Sequence, residues 1–269
     1  LQRRTTREVE AFLSSELRGP QQAIQAMADA VQSGMVDPHD ERRTALYLSR
    51  LAGVFPNAPF LNYGLADGTF IGVGQGGNRR DPQLVLVVTR PESVLRTAQY
   101  KLLADGGRGK LDYSTGISDF RLAPWYAQPL QAGRPIWTQI YNWDDQPEVM
   151  ALGAGMPIRR EGRVIGVAGV DMILANISAF LHGVAGRRGV VLYITDQDGL
   201  LVASSTGQRP FDLVNGTARR RPPSRDPDPW IRASAAAAPA RLDGQRPRQL
   251  SFREGQRRGL LRLTPWRGG

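Results

Sequence analysis

Apolar side chains recur every three or four positions over residues 5–33, and this spacing predicts a long amphipathic helix at the start of the chain. The pair Gly19-Pro20 falls inside that stretch, so we expect a kink or break there, because proline disrupts a helix interior. A second helix is predicted for residues 39–53, where a similar pattern follows Asp37-Pro38. The start of the chain is therefore expected to be helical.

Short apolar runs replace the helical pattern after residue 60. Residues 61–65 and 69–73 flank Ala66-Asp67-Gly68, and an Asp-Gly pair between apolar runs predicts a β-hairpin. The same order of strand, turn and strand returns at residues 189–204, which predicts a second sheet unit. The other predicted strands cover residues 83–89, 95–104, 136–142, 147–158, 163–171, 249–254 and 258–264.

Helices and a long loop separate the remaining strands. A short helix is predicted for residues 124–131, because Pro124 suits the first helical position. Further helices are predicted for residues 172–184 and about 227–238, and the rest of residues 206–249 has the composition of a loop. The whole pattern predicts an α+β fold, in which a long N-terminal helix precedes two antiparallel-sheet units.

Composition excludes several kinds of chemistry. The 269-residue chain contains no cysteine, which excludes disulfides and thiolate metal sites. Its two histidines, His39 and His182, lie far apart in the sequence, so a metal site built from several histidines is excluded as well. No metal and no cofactor is therefore expected.

The positive charge of the chain is concentrated in its last part. Residues 1–185 carry 19 basic and 18 acidic side chains, net +1, whereas residues 186–269 carry 16 basic and 7 acidic ones, net +9. The clusters Arg219-Arg220-Arg221 and Arg257-Arg258 lie among Pro, Ser and Gly, so we expect them in solvated surface loops. Contact with anionic lipid head groups is the alternative, and no nucleic-acid partner is expected.

The chain shows no membrane or export signal of its own. No apolar run approaches the roughly 18 residues of a membrane span, and no signal peptide is visible. The sequence starts at Leu1 without an initiator methionine and enters a helical pattern at once. We therefore expect an excised segment whose flanking membrane helices have been removed, and a complete soluble protein is the alternative.

Motifs that suggest nucleotide binding or catalysis are incomplete. The glycine-rich residues 72–77 lack the Lys-Ser/Thr pair of a phosphate-binding loop, and no helix follows them. Neither Ser204-Ser205 nor Ser114-Thr115 lies in a Gly-x-Ser-x-Gly elbow or has a histidine nearby in the sequence. No catalytic residue is therefore predicted.

Residues 124–171 combine aromatic and acidic side chains. A carboxylate in an aromatic-walled pocket needs a cationic partner, because burying it unpaired is costly. A ligand ammonium meets that need, and the rings add cation–π attraction of about 0.5–2 kcal/mol. The alternatives are that the acids cap turns or act in catalysis and that the aromatic side chains fill the core. The candidate ligand residues here are Trp125, Tyr126, Tyr141, Asp144 and Asp171.

This stretch resembles the ligand-binding part of a double Cache sensor domain. The resemblance is carried by Pro124-Trp125-Tyr126, Tyr141-Asn142-Trp143-Asp144, Met156-Pro157-Ile158 and residues 166–171, and in the second unit by residues 195–205. It implies two PAS-like Cache subdomains that lie outside the membrane and contain no catalyst. The implied divisions are a signalling helix at residues 1–35, a membrane-distal ligand subdomain at 36–185 and a membrane-proximal subdomain at 186–269.

The sequence departs from the pattern of family members that bind amino acids. Those members place Tyr seven residues and Arg two residues before the Trp of Trp-Tyr, and that Arg holds the ligand carboxylate. The corresponding positions here are Ser118 and Ala123, and Arg121 is the nearest arginine. The resemblance therefore implies an amine or another small polar ligand, with Arg121 as a candidate replacement for the missing clamp.

The resemblance also implies a receptor around this chain. The expected function is that of an extracytoplasmic small-molecule sensor in a bacterial transmembrane receptor, attached to the cell membrane through flanking helices and homodimeric in the full-length protein. The output domain, such as a histidine kinase, nucleotide cyclase, diguanylate cyclase or chemotaxis domain, lies outside this chain. The alternative is a scaffold domain that dimerises or docks on a partner without sensing a ligand.

Overall fold

The computed structural model describes residues 2–78, 81–93, 96–117, 119–143, 146–239 and 246–265. Its helices are α1 (Gln2–Gln32), α2 (Glu41–Val54), α3 (Pro124–Ala132), α4 (Leu174–Arg188) and α5 (Pro229–Ala237). Its strands are β1 (Phe60–Leu65), β2 (Phe70–Asn78), β3 (Asp81–Thr89), β4 (Arg96–Leu102), β5 (Arg108–Ile117), β6 (Ile136–Asn142), β7 (Met150–Arg160), β8 (Arg163–Ile173), β9 (Tyr193–Thr195), β10 (Leu201–Ser204), β11 (Phe211–Val214), β12 (Thr217–Arg220), β13 (Arg248–Glu254) and β14 (Arg257–Leu263). The predicted α+β fold class is confirmed.

Helix α1 runs through Pro20 without interruption, so the predicted break at Gly19-Pro20 is wrong. The physical reason is packing, since Ile24 and Met27 on the following turns are at most 1% exposed. Burial of such side chains outweighs the roughly 3 kcal/mol that an interior proline costs. The helix ends before Gly34, whose φ of 76° suits a glycine at a helix C-terminus.

Strands β1 to β8 form one eight-stranded sheet in the order β5-β4-β3-β2-β1-β8-β7-β6. The pairs β5–β4, β4–β3, β3–β2, β2–β1 and β1–β8 are antiparallel. Because side chains alternate along a strand, Leu61, Tyr63 and Leu65 of β1 share one face, which packs against α1 and α2 in the main hydrophobic core. The residues between them point to the opposite face.

Polar contacts hold both helices on the sheet. The Tyr63 hydroxyl donates to the Met27 carbonyl of α1 at 2.8 Å, and burial raises the pKa of Tyr63 well above its ordinary value. In the first turn of α2, Glu41 accepts hydrogen bonds from Arg108 at 2.7 Å and from Arg90 at 2.6 Å. These ion pairs connect α2 to β5 and to the residue that follows β3.

Residues from Ile173 onward form α4, α5 and three two-stranded antiparallel sheets, β9–β10, β11–β12 and β13–β14. Strand β9 covers three residues and is shorter than the predicted strand over 189–195. The hairpin β11–β12 lies within residues 206–249, whose composition predicts a loop. Arg257-Arg258 are exposed, but they begin β14 rather than lying in the predicted loop.

The predicted solvated loop at Arg219-Arg220-Arg221 is also wrong. Its first two residues lie in β12, and Arg220 forms an ion pair with Asp196. Arg221 is only 8% exposed and forms an ion pair with Asp212. Asp196 and Asp212 form ion pairs with Arg220 and Arg221. The composition of the segment around the arginines does not predict these ion pairs.

The chain divides into two compact units. The larger comprises Glu16–Gln146 and Ala151–Met172, and the smaller comprises Leu1–Ser15, Pro147–Met150 and Ile173–Gly269. This division differs from the predicted boundaries after residues 35 and 185, because α1 supplies residues to both units and α4 packs with β10 in the smaller one. In the described part of the chain, none of the helices combines the length and hydropathy needed to span a bilayer.

Candidate functional site

The face of the large sheet that points away from α1 and α2 carries small, aromatic and polar side chains. Residues that pair directly across antiparallel strands project to the same side, so the strand register defines this face. We call it the site face. Its residues on β1, β2 and β8 are Phe60, Asn62, Gly64, Phe70, Gly72, Gly74, Val167, Gly169 and Asp171.

Aromatic rings pack directly on the glycines of the site face. A Cβ atom at Gly64 would lie 2.7 Å from ring atoms of both Phe120 and Trp125, and one at Gly169 would lie 3.0 Å from Trp125. Phe70 adds a third ring, and the centroids of these rings are 5.5–5.7 Å apart. Only glycine permits this close approach, so the aromatic cluster packs directly on the glycine backbone of the sheet.

Helix α3 brings Trp125 and Tyr126 to the site face. Pro124 occupies its first position, as the sequence predicts. Both aromatic side chains are buried, their rings meet edge-on at 5.6 Å, and burial raises the pKa of the Tyr126 phenol. Gly155 of β7 lets the helix approach closely, since a Cβ there would lie 2.4 Å from the Pro129 ring.

Asp171 places a carboxyl group on the site face. It lies in β8, is 5% exposed and accepts a hydrogen bond from the hydroxyl of Tyr141 in β6. The Tyr141 hydroxyl fits against β7 because Gly153 has no side chain, and a Cβ there would lie 3.1 Å from the hydroxyl oxygen. Desolvation disfavours the charged form of a carboxyl, whereas donors or a nearby cation favour it. The arrangement is therefore suited to holding a positively charged group.

Two buried polar atoms near these groups have no hydrogen-bond partner among the described residues. They are Oδ1 of Asn62 and Nε1 of Trp143. Asn62 is 1% exposed, and its Oδ1 lies 2.6 Å from the position that a Gly169 Cβ would occupy. Trp143 packs against Phe60 with ring centroids 5.7 Å apart. Each unpaired buried atom costs about 1–3 kcal/mol, so a ligand that pairs with one recovers that free energy.

Asn62 is a candidate site residue that is not predicted from the sequence. The available signal is an amide within an otherwise apolar strand, between Leu61 and Tyr63. Strand alternation assigns it to the face opposite those two residues, but the sequence does not reveal whether a neighbour satisfies the amide. Its missing partner is visible only in the structure.

The structure does not bring Arg121 onto the site face. The Arg121 guanidinium donates to both carboxylate oxygens of Asp119 at 2.8 and 2.9 Å and to the Ala66 carbonyl at 3.0 Å. The hydrogen bond from Arg121 lowers the pKa of Asp119 below its ordinary value. Arg121 thus connects the turn before α3 to the β1–β2 hairpin. The other candidate, Asp144, lies outside the described residues.

One family model matches part of the chain. Residues 87–179 match the family described as methyl-accepting chemotaxis protein-like, first PDC sensor domain. The matched stretch begins within β3, ends within α4 and contains Trp125, Tyr126, Tyr141 and Asp171. A search of curated protein sequences finds no match.

Solved structures of chemoreceptor sensor domains share the fold. The sensory domain of the Campylobacter jejuni chemoreceptor Tlp3 is 16% identical, with 96% of this chain and 83% of that chain covered and a TM-score of 0.54. The Tlp3 ligand-binding domain in complex with L-valine gives 18% identity, coverage of 96% and 82%, and a TM-score of 0.54. The ligand-binding domain of Mlp24 with asparagine gives 14% identity, coverage of 91% and 77%, and a TM-score of 0.52.

Proposed function

We propose that this chain, a chemoreceptor-type sensor domain of the double Cache class, binds a small organic amine on the site face of its large sheet. In this proposal it is the periplasmic or extracellular part of a bacterial transmembrane receptor that forms homodimers and is attached to the cell membrane through flanking helices. The chain acts by binding, and the output of the receptor is generated by another domain.

The burial of Asp171 beneath an aromatic cluster is the observation that carries the proposal. Asp171 is 5% exposed and accepts the Tyr141 hydroxyl, and a ligand ammonium beside it would add charge pairing in a position sheltered from water. The Trp125 ring lies over Gly169, two residues before Asp171 on the same strand and face. Cation–π attraction to that ring adds about 0.5–2 kcal/mol.

Asn62 supplies a second contact in this proposal. Its unpaired Oδ1 lies on the same face as Asp171, one cross-strand pair away, and accepts one N–H of the ammonium. A primary ammonium has three donors, so it can serve the carboxylate and the amide oxygen together. The contact removes the cost of the unpaired amide oxygen, so it favours the ligand-bound state.

The proposed ligand lacks an α-carboxylate. Tlp3 and Mlp24 have been solved with L-valine and asparagine, which carry both an amine and a carboxylate. Here Arg121, the candidate carboxylate clamp, is engaged by Asp119 and the Ala66 carbonyl. An amino acid would have to break those contacts before its carboxylate could be held, and an amine would not.

Signalling in this proposal starts with movement of the aromatic cluster. Phe120 and Trp125 rest directly on Gly64, so a ligand that enters must displace these rings and α3 with them. The ligand thereby shifts the population between a closed and an occupied state of the site. Helix α1, which supplies residues to both compact units, is the proposed carrier of the change.

A thermal-shift screen tests the proposed function. The chain is heated with amines, polyamines, amino acids, carboxylates and nucleobases, and the melting temperature is compared with that of the free protein. A ligand at 100 times its Kd stabilises the folded state by roughly 2.7 kcal/mol, which is a shift of about 5–11 °C at roughly 2–4 °C per kcal/mol. We expect the shifts to come from amines.

Two variants locate the binding. Asp171→Asn removes the charge with little change in shape, and we expect amine affinity to fall about 30-fold or more. Asp198→Asn changes an exposed acid of the β9–β10 turn and serves as the control, with unchanged shifts. If no compound in the screen shifts the melting temperature, the sensor proposal fails and the scaffold alternative is favoured. If an amine shifts the melting temperatures of Asp171→Asn and Asp198→Asn equally, Asp171 is not part of the binding site.

A further inference from the structure

A cavity of about 420 Å³ lies in the smaller compact unit. It is lined by the start of α1, the segment that leads into β9, helix α5 and the β13–β14 hairpin. All of these lining residues belong to the smaller unit, so the cavity shares no residue with the site face. Ligand pockets for small molecules have volumes of about 300–1,000 Å³, so the cavity is large enough for one.

The edges of two backbone segments border this cavity. Its lining contains consecutive residues of both, 189–193 before and at the start of β9 and 259–262 of β14. Neighbouring side chains of an extended segment point to opposite faces, so one face alone supplies only alternate residues. An unbroken run of lining residues therefore indicates that the edge of each segment, with its N–H and C=O groups, borders the cavity.

The first edge precedes β9 and has backbone groups to offer. Leu192 donates its N–H to the Ser205 hydroxyl and accepts from the Ser205 N–H, both at 2.8 Å, so its groups point toward β10. Alternation along the segment points the backbone groups of Val191 and Tyr193 the opposite way. The backbone of Val191 forms no hydrogen bond with the described residues. The sequence predicts a strand over 189–195, and this edge lacks the partner that such a strand needs.

The second edge belongs to β14, whose other edge pairs with β13. The Leu260 carbonyl accepts a hydrogen bond from the Gln2 side chain at 2.9 Å, which places this carbonyl on the edge that faces away from β13. Because an antiparallel ladder alternates, the Leu260 N–H and both backbone groups of Arg262 point to the same edge. Gln2 satisfies the Leu260 carbonyl, and the other groups are directed toward the cavity.

The two sides of the space between these edges differ in polarity. On one side the rings of Trp230 in α5 and Phe252 in β13 meet edge-on, with centroids 5.7 Å apart. Gln249 lies on the opposite face of the hairpin, because side chains alternate along β13. Its amide donates to the Gln2 side chain at 2.9 Å, which places the start of α1 on that second side. Thr6 lines the cavity there as well, so one side is aromatic and the other is polar.

We infer that this cavity binds a short peptide in an extended conformation, which pairs with both edges as an added strand. Backbone amides carry donors and acceptors on both sides, so a peptide can satisfy the two edges together, as in recognition by β-strand addition. Successive side chains of the peptide point to opposite sides. An apolar side chain therefore packs on Trp230 and Phe252, and its polar neighbour faces α1.

The charge of the lining agrees with recognition through the backbone. Arg262 is the one charged residue among the lining residues. It is the cross-strand partner of Gln249, so its side chain belongs to the polar side of the hairpin and not to the aromatic wall. Amide pairing needs no charge on the ligand, so an uncharged peptide is expected to bind. This site is separate from the proposed amine site and does not depend on it.

A matched pair of ligands tests this inference. The intact chain is titrated calorimetrically with N-acetyl-leucyl-serine amide and with the same compound methylated on the backbone nitrogen of its serine. Methylation removes one donor and adds bulk at the edge of the peptide. We expect the unmethylated peptide to bind saturably and at least about tenfold more tightly than the methylated one. The inference is overturned if the unmethylated peptide does not saturate by about 10 mM, or if both peptides bind equally.

Two substitutions at one position test the role of the first edge. Val191→Pro removes the backbone N–H and should weaken peptide binding at least about tenfold, whereas Val191→Ala keeps the N–H and should bind within about threefold of the unmutated chain. Melting curves show whether both variants fold, and the methylated peptide decides the matter if Val191→Pro does not. Equal binding by two folded variants would overturn the inference. Asp171→Asn should bind the peptide unchanged, which separates this site from the amine site.

Amide hydrogen exchange tests the rival arrangement, in which the two edges pair directly with each other. We expect the amides of Val191 and Leu260 to exchange rapidly in the free chain and to be protected when the peptide is bound. Strong protection of both amides in the free chain, unchanged by the peptide, would show that the edges already pair and would overturn the inference.

Discussion

The two faces of the eight-stranded sheet are built from alternate residues of the same strands, and they differ in packing and in polarity. On one face Leu61, Tyr63 and Leu65 are at most 2% exposed and pack against helices in a continuous apolar core. On the other, the Asn62 amide oxygen has no hydrogen-bond partner among the described residues, and Gly64 packs directly against aromatic rings. The comparison teaches that one face supplies packing that stabilises the fold, whereas the other face is the one on which ligand binding is proposed.

The largest effect is expected from truncation on the core face. Leu61→Ala should lower the free energy of unfolding by about 2–5 kcal/mol, because it removes a fully buried side chain and leaves a cavity. Urea denaturation followed by circular dichroism measures this loss. The affinity of the folded variant for an amine should be unchanged, and a large loss of affinity would show that the two faces are not separable.

The next largest effect is expected from adding a single methyl group to the site face. In Gly64→Ala the new Cβ would lie 2.7 Å from the Phe120 and Trp125 rings, so overpacking should cost about 1–3 kcal/mol of unfolding free energy. The control is Gly53→Ala in α2, where a Cβ meets nothing within 4 Å and should stabilise by about 0.5–1 kcal/mol. Equal effects of both substitutions on the melting temperature would mean that the Phe120 and Trp125 rings move away from the new Cβ without loss of stability.

Asn62→Ala is expected to separate binding from stability. The substitution removes an amide whose oxygen has no partner among the described residues, so the free energy of unfolding should change by less than about 1 kcal/mol. Amine affinity, measured by calorimetry, should fall about tenfold because one hydrogen bond to the charged ligand is lost. A destabilisation as large as that of Leu61→Ala would assign Asn62 to the structural core instead.

The smallest effect concerns the ion pairs that hold α2 to the sheet. Burial alone would raise the pKa of Glu41, but hydrogen bonds from Arg108 and Arg90 outweigh it and lower the pKa below 4.5. A depressed carboxyl pKa contributes stability above the unfolded-state pKa, and that stability is lost as the pH falls through the folded-state value. Glu41→Gln should therefore cost about 1 kcal/mol at pH 7 and nothing near pH 3.

Exposed Glu92 provides the control for that pH dependence. Glu92→Gln should change the urea midpoint little at any of these pH values, because an exposed carboxylate contributes little to stability. Urea midpoints at pH 7, 5, 4 and 3 measure both variants. A constant difference between Glu41→Gln and the unmutated chain across this range would contradict the assignment of the ion pairs.

Much of this architecture could be predicted from the sequence. The apolar runs, the turn residues between strands and Pro124 at the start of α3 are local signals, and they predict most strands of the sheet and the short helix. These signals depend on residues within a few positions of one another. The helices and strands of the large sheet are therefore close to their predicted ranges, except for β5 (Arg108–Ile117), which is not predicted as a strand.

Other features depend on partners that are distant in the sequence. The continuity of α1 through Pro20 depends on its burial against the sheet, and the position of Arg220 depends on Asp196, 24 residues away. Arg121 is engaged by Asp119 nearby and by the Ala66 carbonyl 55 residues away. Long-range pairing of this kind has no local pattern, which is why the sequence alone predicts neither the continuous helix α1 nor the ion pair of Arg220.

The most direct test of the central claim is a calorimetric comparison of amino acids with the amines formed by removal of their carboxyl groups, such as L-valine with isobutylamine. The account predicts that the amines bind more tightly than their amino acids and that Asp171→Asn abolishes this binding. The opposite order, with amino acids bound and their amines not bound, would contradict it. That result would show that a carboxylate clamp is present and that Asp171 is not the group that selects the ligand.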